Sequence, residues 1–153
     1  MNTVHIRRAQ AYDVVAIATL THAAYSKWVP IIGREPLPMK VDYTEAFKVH
    51  RFDLLYENEA LAALIEAVEK SDGLLIENVA VRPGFQKRGY GRMLLAHAEE
   101  LAASQGLPVI RLYTNSKFEE NIALYKNLGY NVYHEEPENG GIAVHMEKVI
   151  KKN

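Results

Sequence analysis

Apolar and polar positions alternate at the start of the chain, where Val4 and Ile6 interleave with His5 and Arg7 and predict a short strand. Past Asp13, a helix-capping residue type, Val14, Ile17, Leu20 and Ala24 recur at helical spacing, so a helix follows. Ser26 to Pro38 (SKWVPIIGREPLP) mixes three prolines and a glycine with large apolar residues, which predicts a packed loop. A second short helix is expected over Asp42 to His50.

Leu54 to Val68 reads two ways. Its helix propensity is high, yet Glu57-Asn58-Glu59 separates two apolar runs like a turn. Ser71-Asp72-Gly73 is a turn signal leading into Leu74 to Val81, an apolar and β-branched run that Pro83-Gly84 ends. From Gly91 to about Ser104 the chain follows a helical period, with Gly106 as a stop signal, and Val109 to Tyr113 reads as a strand. Ser116-Lys117-Phe118-Glu119 has the form of a capping box for a helix carrying Phe118, Ile122, Tyr125 and Leu128 up to Gly129. Tyr130 to His134 and Ile142 to Val149 then form a hairpin with a loose turn over Pro137 to Gly141. With no repeat or linker in the sequence, residues 1–153 are expected to form one domain.

Composition narrows the chemistry. At 48% apolar and 24% charged residues the 153-residue chain matches an ordinary globular domain. Its 18 Lys+Arg against 19 Asp+Glu give a net charge of −1, so no general basic field exists for nucleic acid or an anionic membrane, and any anion site must be local. The lack of cysteine excludes disulfides, a thiolate zinc site and a route through a cysteine adduct. The six histidines are scattered with no His-Glu-x-x-His, so no metal is expected. No stretch has signal-peptide or membrane-spanning character, and a cytoplasmic location is expected.

The informative element is Gln86-Lys87-Arg88-Gly89-Tyr90-Gly91, between a buried strand and a helix. Two glycines one residue apart let backbone N–H groups converge on a bound group, and the helix that follows adds its positive dipole end. Lys87, Arg88 and Arg92 add charge to the same few residues, which suits a polyphosphate better than a single carboxylate. Leu94 stands where a dinucleotide fingerprint needs its third glycine, and no Gly-Lys-Ser/Thr follows.

With ENVAV (Glu77 to Val81), RPGFQKRGYG (Arg82 to Gly91), the long helix, RLYTN (Arg111 to Asn115) and NIALYKNLGY (Asn121 to Tyr130) in this order, the sequence resembles the GNAT superfamily of acetyl-CoA-dependent N-acetyltransferases. The resemblance is strong from Leu74 to Val149. It implies an α/β fold of the α+β type: a mixed, mostly antiparallel sheet of about seven strands, splayed into a V between two parallel strands, with flanking helices. It also implies that Leu54 to Val68 is two strands joined near Asn58.

Carried over residue by residue, the resemblance gives Val79, Ala80 and Val81 to the acetyl group and pantetheine arm of acetyl-CoA, and Gln86, Lys87, Arg88, Gly89, Tyr90, Gly91 and Arg92 to its pyrophosphate. Tyr125 stands where such enzymes keep the tyrosine that protonates the leaving thiolate; its other reading is one aromatic of a core stripe with Phe118 and Ile122. Phe118 and Asn121 occupy places where members often have asparagine and alanine, so Asn115 or Asn121 would substitute as a cofactor contact.

An amine acceptor must lose a proton before attack, and Glu77, two residues before Val79 on an apolar strand, is the leading base candidate. Simple alternation puts Leu75, Glu77 and Val79 on one face; an edge position or a pair with Arg111 would explain Glu77 equally, and His22 and His145 are fallback bases. Tyr25, Trp28, Met39 and Tyr43, with Ile32, are candidate walls of the acceptor site, and Glu35 and Asp42 could meet a cationic amine. The expected acceptor is a small-molecule or peptide amine, and the terminal hairpin could support a homodimer. The competing reading is a non-catalytic acyl-CoA-binding regulatory module, which would need the cradle but not Tyr125 and Glu77.

Overall fold

The computed structural model describes residues 3–138 and 141–150. Strand β1 (Val4–Arg8) is followed, after a 3-10 turn, by helix α1 (Val14–Tyr25), the short α2 (Val29–Ile32) and α3 (Tyr43–Val49). Strands β2 (Arg51–Glu57), β3 (Ala60–Lys70) and β4 (Gly73–Val81) lead to α4 (Tyr90–Ser104), β5 (Val109–Asn115), α5 (Glu119–Asn127) and the pair β6 (Asn131–Glu138) and β7 (Gly141–Val149).

All seven strands make one sheet in the order β1-β2-β3-β4-β5-β7-β6, antiparallel except between β4 and β5. Leu54 to Val68 is therefore β2 and β3, turning at Asn58, which adopts the left-handed backbone that asparagine tolerates (φ 56°). Its helical look has a physical cause. The sheet is covered on both faces, so Leu61 to Ala67 are all buried and the alternation that marks a half-exposed strand is erased. One face packs Leu94, Leu95, Ala98 and Ala102 of α4 on Ala63, Ile65, Ile76 and Leu112; the other packs Ile17, Leu20 and Ala24 of α1 with Tyr43, Phe52, Leu64 and Ala80.

Two features of β4 shape the site. Its parallel pairing with β5 covers only Leu74–Ile110, Leu75–Arg111 and Ile76–Leu112, after which the strands part and open the expected V. Against β3, Glu66 pairs with Asn78 and Ala67 with Ile76, so Glu77 is the extra residue of a β-bulge. The bulge overturns the expected alternation: Val79 and Val81 pack into the same cluster as Leu74 and Ile76, and Leu75 does not share their face.

Local signals also need correction. Asp13 makes no side-chain cap for α1; its carboxylate is gripped by Arg7 at 2.8 and 2.9 Å, which holds it below the usual carboxylate range. Ser116 and Glu119 form no capping box. Asn115 Oδ1 takes the Lys117 amide instead, α5 begins at Glu119, and Phe118 turns away to stack on Trp28 with ring centroids 4.3 Å apart. The loop from Ser26 to Pro38 is largely short helical turns, with Pro30 in the first turn of α2, where its missing N–H is harmless. The last hairpin is longer than expected, pairing out to Glu138 and Gly141; Asn139 and Gly140, part of the expected turn, lie outside the described residues.

Candidate active site

Where β4 and β5 separate, the backbone of β4 faces open space. The Arg82 amide bonds to Ala62 O at 2.8 Å, and antiparallel pairing alternates, so Ala80 and Arg82 face β3 while Val79 and Val81 direct their N–H and C=O groups into the gap. Two contacts agree with this direction. The Tyr25 hydroxyl donates to Val79 O at 3.2 Å, and Gln86 Nε2 donates to Val81 O at 3.1 Å.

Two cavities meet in the V. A groove of about 290 Å³ runs along Val79 to Val81, Gln86, Lys87, Gly89 to Arg92, Leu124 and Tyr125. A smaller chamber of about 60 Å³ lies beyond it, lined by Glu77, Asn78, Tyr113, Asn115, Phe118 and the α2 to α3 connection. Tyr25, Val79, Asn121 and Tyr125 belong to both linings and form the junction.

The groove has the character of an anion cradle. Gly89, in the left-handed region at φ 82°, caps α4 and turns the chain so that the free amides of the first helical turn face the groove. A Cβ on Gly91 would meet nothing within 4 Å, so space is open against that backbone. Lys27, Lys87 and Arg92 supply positive charge there. Arg88 does not: its guanidinium turns back to Glu57 at 2.6 Å and lies outside the groove lining, and the Tyr90 hydroxyl donates to the same carboxylate. These hydrogen bonds, from Tyr90 and then Arg88, hold the Glu57 carboxyl below its usual range. Both side chains thus brace the cradle from behind and leave the backbone of the loop to the groove.

In the chamber, Glu77 accepts a hydrogen bond from the Tyr113 hydroxyl at 2.9 Å. Burial first, then the charge of Glu77, raises Tyr113 above the ordinary tyrosine range, so it stays a donor. Arg111 pairs with Asp72 and Glu147, which removes it as an explanation for Glu77. Tyr125 is pushed up to about 12 by burial, so it holds its proton at neutral pH.

Residues 17–130 match the Acetyltransferase (GNAT) family. The chain belongs to that family. Among curated proteins it resembles a [Ribosomal protein bS18]-alanine N-acetyltransferase of Salmonella typhimurium, 35% identical over 77 residues, 50% of this chain and 52% of the relative. The Escherichia coli K12 enzyme of the same name is 32% identical over 77 residues, again 50% of this chain and 52% of its own length. The chain thus matches about half the length of these relatives. Two crystal structures share the fold. The ribosomal-protein-S18-alanine N-acetyltransferase from Escherichia coli has a TM-score of 0.80 at 23% identity, covering 100% of this chain and 96% of that one. PaiA N-acetyltransferase from Thermoplasma acidophilum, in complex with coenzyme A, has a TM-score of 0.83 at 16% identity, covering 96% and 99%.

Within this family member, the fold brings together Tyr125, Glu77, Asn115, Asn121, Tyr25 and the loop from Gln86 to Arg92, apart from Arg88. It separates others. Trp28 lines the groove, not the chamber. Tyr43 is core, 4% exposed, with its hydroxyl on Pro38 O at 2.7 Å, and Met39 and Glu35 lie outside both linings. Asp42 caps α3 through the Thr44 and Glu45 amides. His22 is exposed on α1, and His145 pairs with Glu136 at 2.9 Å on the outer hairpin, so neither reaches the junction. Sequence reasoning missed Tyr113, Asn78, Arg34 and Glu138 as chamber walls. The adjacent polar pair Glu77-Asn78 inside an apolar strand was the available signal for the second of these. Among the described residues no group of acidic or histidine side chains is arranged for a metal, and no helix is long and apolar enough to cross a membrane.

Proposed function

We propose that this chain transfers the acetyl group of acetyl-CoA to a primary amine by direct attack, with both substrates bound. The observation that carries this reading is the junction: a cation-lined groove and a carboxylate-bearing chamber share Tyr25, Val79, Asn121 and Tyr125. Acetyl-CoA supplies a thioester carbon that an amine can attack. Its fit is supported by the open backbone of β4, which can take an extended arm as an added strand, and by the open space against Gly91. Structures of relatives hold coenzyme A or acetyl-CoA.

In the chamber, Glu77 takes the proton of the incoming ammonium, which frees the nitrogen lone pair. The amine forms the new C–N bond, the C–S bond breaks, and Tyr125, still protonated, gives its proton to the departing sulfur; the surplus proton on the acylated nitrogen then leaves and restores the Tyr125 hydroxyl. The N–H of Val79, which points into the gap, holds the carbonyl oxygen as charge builds on it. Lacking cysteine, the chain has no thiol to carry the acetyl group.

The curated relatives are named for acetylating an alanine of ribosomal protein bS18, so a peptide beginning with alanine is the first acceptor to test. Release of free thiol from acetyl-CoA, with the acetyl group located on the peptide by mass spectrometry, is expected. No turnover with that peptide or with a panel of small primary amines would overturn the reading.

A further inference from the structure

A chain of buried hydrogen bonds behind the chamber has one open link. The Thr21 hydroxyl donates to Ile17 O at 2.8 Å, so toward Asn78 its oxygen can only accept, and Asn78 Nδ2 lies 3.4 Å from it. This fixes the amide orientation. Asn78 Oδ1 is left buried and without a donor, and an orphan buried acceptor is costly. Directly across the ladder stands Glu66, 3% exposed, with Oε2 2.6 Å from His50 Nδ1. Cross-strand partners of this kind are within side-chain reach.

We propose that Glu66 is a neutral carboxylic acid that donates its proton to Asn78 and thereby positions the bulge carrying Glu77 and Val79. Every group is then satisfied: His50 Nδ1–H donates to Glu66 Oε2, Glu66 Oε1–H to Asn78 Oδ1, Asn78 Nδ2–H to Thr21, and Thr21 O–H to Ile17. An ionised Glu66 facing a protonated His50 would leave Asn78 Oδ1 an orphan. Of the ionisable groups around Glu66, His50 at the end of α3 opposes the acid form, whereas Glu77 on β4 favours it as a second carboxylate; Tyr43, Tyr25 and Tyr113, on α3, α1 and β5, feel the charge of Glu66, keep their protons and add none of their own. Burial first, then Glu77, holds the Glu66 carboxyl above the usual range.

Asn78 sits between the proposed base and the proposed oxyanion donor, so tying its side chain to α1 and β3 fixes the backbone on both sides. Glu66 is a positioning residue, and its catalytic consequence rests on the function proposed above; its protonation does not. Loss of its proton at high pH breaks the chain, and turnover should fall on the alkaline side.

The test compares two variants by infrared spectroscopy and kinetics. Glu66→Leu removes both links and should lower turnover by about tenfold or more, while Glu66→Gln, which can donate to Asn78 and accept from His50, should restore it to within about twofold and abolish the alkaline fall. The folded wild-type chain without substrates should show the carbonyl stretch of a buried protonated carboxyl that Glu66→Gln lacks. Absence of that band overturns the protonation whatever the activity. A Gln variant as impaired as Leu, or a Leu variant with wild-type turnover and pH profile, overturns the positioning role.

Discussion

The Tyr113 hydroxyl donates to the Glu77 carboxylate at 2.9 Å, across the point where β4 and β5 part. The hydroxyl fixes where the carboxylate sits, and Tyr113, raised by burial and by Glu77 itself, does not surrender its own proton in the working range. Glu77→Gln should therefore weaken the acid limb of the rate–pH profile and recover part of its rate at high pH, where free amine is abundant. Tyr113→Phe should lower turnover, since it removes the hydroxyl that holds the Glu77 carboxylate in the chamber. A Gln variant with unchanged rate and profile would transfer the base role to water.

Tyr125 lines both cavities and is pushed up to about 12 by burial. Tyr125→Phe keeps the ring packed near Tyr130 and deletes only the proton donor. Turnover should fall about 10²- to 10⁴-fold with acetyl-CoA affinity nearly unchanged, as expected for loss of a general acid. A change below about twofold would return the residue to its core role.

Gly91 lies in the first turn of α4 with open space where a Cβ would stand. Gly91→Val fills that space with a branched side chain. Calorimetry should show loss of acetyl-CoA binding, while the circular dichroism spectrum stays native. Undiminished affinity would remove the cradle from the account.

Away from the site, Asp53 of β2 is 2% exposed and receives His97 of α4 at 2.5 Å and Arg51 at 3.1 Å. Burial opposes its charge, but the bonds from His97 and Arg51 prevail and hold the carboxyl below its usual range. A lowered folded-state value means that the stabilisation is present above the unfolded value, about 3.9, and is lost as pH falls through the folded one. Asp53→Ala should cost about 3 kcal/mol in urea unfolding at neutral pH, since it strands the partners of a buried carboxylate. The gap from wild type should shrink in acid.

Much of this was legible because it is carried by local chemistry. The two glycines after a buried strand and the ordered motifs pointed to residues that line the groove and its junction with the chamber, Gly89, Gly91 and Tyr125 among them. Arg88 was misread because a sequence shows its charge but not that Glu57, 31 positions away, would claim it. The faces of β4 were misread at Glu77 because a bulge shifts the alternation by one residue and has no signal of its own in ENVAV. Met39 and Tyr43 have the right chemistry for an acceptor wall, but tertiary packing turned Tyr43 inward and left Met39 outside the chamber.

The central claim is direct transfer at the junction of two cavities, and initial rates with both substrates varied test it most directly. Double-reciprocal lines for acetyl-CoA and an amine-bearing peptide should intersect, since the amine attacks while the thioester is bound and no group on the chain carries the acetyl. Parallel lines, the pattern of a covalent acetyl intermediate, would contradict the account.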